Sequence, residues 1–321
     1  MKKMTNTVHC EGYLYEHELS KKVSGPNSKK PGTEFISGTI KIATDEELTN
    51  IVEFHFTYAT ATTASGKTNA TFGYLSDIID GKLKTAMEVG KEGATKLRID
   101  SAIGLNDFYS ERNGEWVLAS PKRNEGGFIH VITDINNTDR NSFKADMIAT
   151  KCVRTEADEE RGIPERMTLS GVIFDFRGEI LPVSFMVYHP GAMNYFEGLE
   201  ISDKNPYCSE IRGEQISTTV IRKVTEENAW GEDIVKEYPT TRKEYVITSG
   251  SKVPYEWDTE EFITGEKLNE LVARRETMLA GVKQRAIEWK EQKAQNAAVQ
   301  NNSIPNINTP TTGAGLNGFN F

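Results

Sequence analysis

Residues 34–58 read Glu-Phe-Ile-Ser-Gly-Thr-Ile-Lys-Ile-Ala, then Thr-Asp-Glu-Glu-Leu-Thr-Asn, then Ile-Val-Glu-Phe-His-Phe-Thr-Tyr. Side chains on a strand alternate between two faces. In the first arm Ile36, Gly38, Ile40 and Ile42 share one face, opposite Phe35, Ser37, Thr39 and Lys41. In the second, Val52, Phe54, Phe56 and Tyr58 oppose Glu53, His55 and Thr57. The polar residues 44–50 supply the turn. The stretch predicts a long antiparallel hairpin with one core face and one mixed face.

Outward from the hairpin, Val8–Leu19 alternates as a first strand, and a lysine-bearing loop at 21–32 follows it. Leu75, Ile78, Ile79, Leu83 and Met87 stand at helical spacing within 74–89, with Gly81 as a weak point and Gly90 suited to the end. Strands are expected at 96–103 and 127–132, with a second basic loop at 121–127. The Asp-, Asn- and Thr-rich stretch 134–141 marks a boundary. A similar order then returns: a strand at 143–155, a hairpin at 167–188, a short helix at 190–199, and strands near 209–216 and 242–249. Residues 252–262 read as an arm packed on the second domain. Thr264 can cap a helix over 264–295, and 296–321 is polar, Pro- and Gly-bearing and expected to be disordered.

Composition narrows the function classes. The chain has 321 residues and 37% hydrophobic content, enough for two ordinary domains. No window approaches the roughly 18 apolar residues of a membrane span. Three scattered cysteines, Cys10, Cys152 and Cys208, give neither a disulfide frame nor zinc spacing. No apolar run follows the N-terminal lysines, so a secretory leader is not expected, and the cytoplasm is the expected compartment (the host's if the protein is viral). The net charge of -9 speaks against a protein coated in phosphate. Its excess falls mainly in 151–250, however, which leaves the first half free to hold a basic groove. Gly66-Lys67-Thr68 lacks the earlier glycine of a phosphate loop, since position 61 is Ala. The five histidines are scattered, the acidic run 156–160 reads as a solvated loop, and no nucleophile signature occurs. No catalytic, metal or cofactor site is assigned.

Strand, hairpin, helix, two strands is the order of the OB-fold, a five-stranded Greek-key barrel. With the hairpin 34–58, the run Arg98–Tyr109 and the run Leu169–Arg177, the chain resembles phage-type single-stranded DNA-binding proteins built from tandem OB-folds, over about residues 5–250. The fold expected is mainly β: an OB-like nucleic-acid-binding domain at 1–135, a second OB-like domain at 142–262, then the helix and the tail. The resemblance implies a protein of viral replication or recombination that sequesters single-stranded DNA without catalysis.

Binding single strands takes aromatic faces for bases and cations for phosphates. The mixed strand faces offer Tyr13, Tyr15, Phe35, Lys41 and His55, and the loops add Lys29, Lys30, Phe108, Tyr109, Lys122 and Arg123. Phe174, Phe176, Arg177, Tyr188, Tyr195 and Phe196 are weaker candidates in the acidic second domain. Replication proteins reached through the helix or the tail, and a homo-oligomer, are the further partners this reading allows. The tail departs from those of bacterial single-strand binders: it holds no Asp or Glu and ends in Asn-Phe. The competing reading is a β-rich viral structural or assembly protein whose barrels make protein contacts.

Overall fold

The computed structural model describes residues 3–26, 28–136, 138–158, 163–226, 228 and 234–302. It divides into two units, Met1–Asn106 with Ser120–Glu276, and Asp107–Ala119 with Thr277–Phe321.

In chain order the first unit begins with β1 (Asn6–His17), β2 (Ser20–Val23), β3 (Glu34–Ala43) and β4 (Ile51–Thr60). The helices α1 (Ala70–Ile79) and α2 (Ala86–Val89) precede β5 (Lys96–Ser101) and β6 (Ile103–Leu105). After β7 (Phe108–Arg112) and β8 (Glu115–Ala119), which belong to the second unit, come β9 (Lys122–Glu125) and β10 (Phe128–Val131). β1 pairs with β3, β3 with β4, and β4 with β9 in parallel. The chain passes from β9 into β10, which pairs with β5, and β5 pairs back on β1. This closes a barrel in OB order, with α1 between its third and fourth strands.

The second half repeats the closure. β11 (Asn141–Thr155), β12 (Arg166–Phe174) and β13 (Ile180–Val187) precede α3 (Pro190–Glu197), β14 (Tyr207–Glu226) and β15 (Ile234–Gly250). The pairings are β11 to β12, β12 to β13, β13 to β15 in parallel, β15 to β14, and β14 to β11. β1 and β11 pair across the barrels, from Asn6 opposite Ala145 to Cys10 opposite Asn141. One hydrophobic cluster therefore runs through both, from Val8 and Phe54 to Phe185 and Ile247.

The opening hairpin behaves as its alternation predicts over most of its length. Ile36, Ile40 and Ile42 on β3 and Val52, Phe54 and Phe56 on β4 are buried. Each contributes about 1.5–3 kcal/mol of burial. Gly38 sits at φ 134, and a Cβ there would collide with the Glu18 carbonyl of the chain leaving β1. Glycine is the residue that meets both demands.

Several boundaries differ from expectation. The helix expected over 74–89 is two helices, because Gly81 turns left-handed at φ 67 and ends the first. The strand expected at 96–103 breaks at Ala102. The basic loop expected at 121–127 is strand β9, recruited by pairing with β4 and β6. The strands expected near 209–216 and 242–249 extend much further, since β14 and β15 stay in register out to Glu226 opposite Ile234. The arm 252–262 packs on the second barrel: the Tyr255 hydroxyl donates to Asp146 at 2.8 Å and Phe262 is buried.

α4 (Gly265–Asn302) starts where Thr264 caps it, accepting from the Lys267 amide at 3.2 Å. It runs past the expected end at 295. The rest of the expected disordered tail, 303–321, lies outside the described residues. In the second unit β7 and β8 form a hairpin, and Lys290 of α4 pairs with Glu111 and lies 5.9 Å from the centre of the Trp116 ring.

Candidate nucleic-acid interface

The outer face of the β3–β4 hairpin gathers aromatic and cationic side chains. Ile36 lies opposite Ala59, yet Gly38 lies opposite Phe56, so β4 carries an extra residue at this point. Such a bulge reverses alternation beyond it. Ala59 turns into the core and Tyr58 turns out, 47% exposed. Its ring lies 4.5 Å from that of Phe35, centre to centre, and its hydroxyl meets Ser24 Oγ at 3.0 Å. β2 extends the sheet beside this pair, with Lys22 opposite Phe35 and Lys21 opposite Ile36. Lys21 pairs with Asp80 at 2.9 Å, while Lys22 is exposed. Lys29 and Lys30 are exposed on the loop between β2 and β3.

Phe35 thus pairs with Tyr58 and has Lys22 opposite it, while Lys29 and Lys30 are exposed in the loop that leads into β3; the sequence pattern does not single out Tyr58 or Lys22. Alternation assigns Tyr58 to the core face, because a bulge has no signature in the period-2 pattern.

The other expected contacts are placed elsewhere. Tyr13 is 8% exposed, packed with Ala43, Ala86 and Ala94, and its hydroxyl donates to Glu46 at 3.1 Å. No face of its ring is open to a base, so the expectation of an outward ring is corrected: α2 covers it. Tyr15 packs half-buried on the same cluster. Lys41 donates to Glu16 at 2.9 Å and Glu18 at 3.1 Å. Its hydrogen bond to Glu16, chiefly, pushes its pKa up to about 12, and two carboxylates already neutralise it. His55 contacts Thr39 Oγ1 at 3.2 Å; burial, then the Arg123 charge, holds its imidazole below the usual range, so it offers no cation near neutral pH.

Lys122 departs furthest from its expected role. On β9 it shares a face with Asn124, and both point toward the second barrel. Its Nζ donates to the Ser184 carbonyl and lies 5.0 Å from the centre of Phe185 and 4.8 Å from that of Tyr245. Burial pushes it down to about 8, against the opposing pull of Glu244. Beside it Asn124 donates to Gln215 Oε1 at 2.7 Å and accepts from the Tyr245 hydroxyl at 2.8 Å. Arg123, on the other face, is held by Glu125 at 3.0 Å. These two cations serve the junction and its edge, because the expected loop is a strand paired with β4 and β6. Phe108 and Tyr109 lie on β7 of the second unit, Phe108 41% exposed and Tyr109 with Lys283 Nζ 5.8 Å from its centre.

A groove of about 610 Å³ opens where the barrels meet, lined among others by Tyr58, Leu105, Phe128, Phe176 and Leu181. Phe128 is 73% and Phe176 84% exposed. Phe128 alternates with the buried Ile129, a signal that the sequence did contain. Among the described residues no three His, Cys, Asp or Glu side chains gather as a metal site. No described helix is long and apolar enough to cross a membrane.

No curated protein matches the chain. Two solved structures of the single-stranded DNA-binding protein from Thermus aquaticus are similar to it, each at 8% identity and a TM-score of 0.43. The wild-type structure covers 79% of this chain and 96% of its own, and a deletion mutant covers 81% and 100%. The model of the YorF family matches residues 4–285, which takes in both barrels and more than half of α4. The chain belongs to the YorF family.

Proposed function

We propose that the protein binds single-stranded DNA on the outer face of the first barrel and sequesters it without making or breaking bonds. The supporting observation is the edge where the Phe35–Tyr58 ring pair stands beside Lys22, with Lys29 and Lys30 exposed in the adjoining loop. Barrels of this order bind oligonucleotides or oligosaccharides on the face of their second and third strands and on neighbouring loops, and β3 and β4 are those strands. Three exposed lysines near a pair of tilted rings favour a phosphate backbone over an uncharged sugar. The role this fits is protection of exposed strands in replication or recombination, with a phage genome as the setting the sequence resemblance suggests.

Fluorescence anisotropy with labelled oligo-dT at low salt tests the reading. Saturable binding that excess oligo-dT displaces and duplex DNA of equal length does not is the expected result. No binding at low salt contradicts it and leaves the barrels to protein contacts.

A further inference from the structure

We propose that the groove between the barrels carries the strand onward, stacking unpaired bases on Phe128 and Phe176, so that both barrels hold one strand. This rests on the single-strand reading above and extends it to the second barrel.

The path is continuous. Tyr58 belongs to the ring pair beside the lysines and also lines the groove. Beyond it stand Phe128 at the start of β10 and Phe176 in the turn between β12 and β13. Singly exposed apolar side chains are ordinary, but rings gathered on one concave surface mark binding sites. Phe128 and Phe176 are among the most exposed large apolar residues described, and they come from different barrels. Neither contributes to a core in this position.

The negative charges of the groove are held by partners, and a cation stands next to Phe176. The lining holds two carboxylates, Glu125 and Asp175. Glu125 is paired with Arg123. Asp175 Oδ1 accepts from the backbone amides of Arg177 at 2.8 Å and Glu179 at 2.9 Å, where it braces the turn. Arg177 is exposed, with its guanidinium carbon 4.9 Å from the centre of the Phe176 ring. An arginine stacked on a ring at the end of a groove can meet a phosphate while a base occupies the free ring face. Cations thus stand at both ends of the path, Lys22, Lys29 and Lys30 at one and Arg177 at the other, with rings between.

The test uses the full chain, labelled oligo-dT, and the variants Phe128→Ala, Phe176→Ala and Phe176→Tyr. Both positions are exposed, so the alanine variants keep the core, and thermal melts compared with wild type check this. Each alanine variant is expected to weaken binding about five- to 150-fold, the range for losing one stacked base. Phe176→Tyr, which keeps the ring, is expected to bind within about twofold of wild type. If wild type binds and both alanine variants bind equally well, the groove is not on the path, and the first-barrel reading stands without it. If wild type does not bind at all, both readings fall.

Discussion

Burial decides what each lysine does. Lys41 and Lys122 look like phosphate contacts in the sequence, but one is claimed by two carboxylates and the other by two rings and a carbonyl. Replacing Lys122 with Met should leave oligo-dT affinity within about twofold, whereas Lys22→Ala should weaken it and lower the salt slope by about 0.7. Lys122 also carries a pH signature. Unfolded, a lysine keeps its proton to near 10.5; buried here, it releases it near 8. Between these values the unfolded state holds more protons, so stability rises with pH across that window. Urea unfolding of wild type and Lys122→Met at pH 7.5 and pH 10 should show wild type gaining about 1–3 kcal/mol relative to the variant, the ring contacts offsetting part of the shift. An unchanged difference would mean that the ammonium is not desolvated.

Single elements show where local pattern prevails and where pairing overrides it. The hairpin over 34–58 was legible because its apolar residues alternate over almost its whole length. One extra residue at the bulge was not, and it moves Tyr58 from the core to the outer face. β9 was hidden for a different reason: Pro-Lys-Arg-Asn-Glu-Gly-Gly has the composition of a loop, and only partners distant in sequence make it a strand. The same cause takes Lys122 and Arg123 off the exposed loop that the sequence predicts. Where a glycine is required, the consequence is local and measurable. Gly38 combines a positive φ with contact against the Glu18 carbonyl, so Gly38→Ala should cost at least about 1–3 kcal/mol by thermal or urea unfolding. Gly81, left-handed but in open space apart from the Lys84 side chain, should cost only about 1 kcal/mol on substitution by Ala.

At the scale of the molecule, two barrels in the same order were legible from the repeated succession of strands and helices, although the halves do not align by identity. Their union was not legible, because it depends on β1 meeting β11 and on a polar network of Asn124, Gln215 and Tyr245 with no local signature. One hydrophobic cluster runs through both barrels, so they should unfold in one transition, with intrinsic fluorescence and far-ultraviolet circular dichroism giving coincident urea curves. Two resolved transitions would show that the barrels are energetically independent. The proposed face was legible in part: the sequence singles out Phe35, Lys29 and Lys30, while Tyr58 and Lys22 needed the register.

In the proposed function the edge of the β3–β4 hairpin meets the phosphates of a single strand. This contact is tested most directly by comparing the salt dependence of oligo-dT binding for wild type and the triple variant Lys22→Ala, Lys29→Ala, Lys30→Ala. The plot of log affinity against log salt is expected to fall linearly for wild type and to be shallower by about 2 for the variant, at about 0.7 for each phosphate that is no longer neutralised. Equal slopes would contradict it.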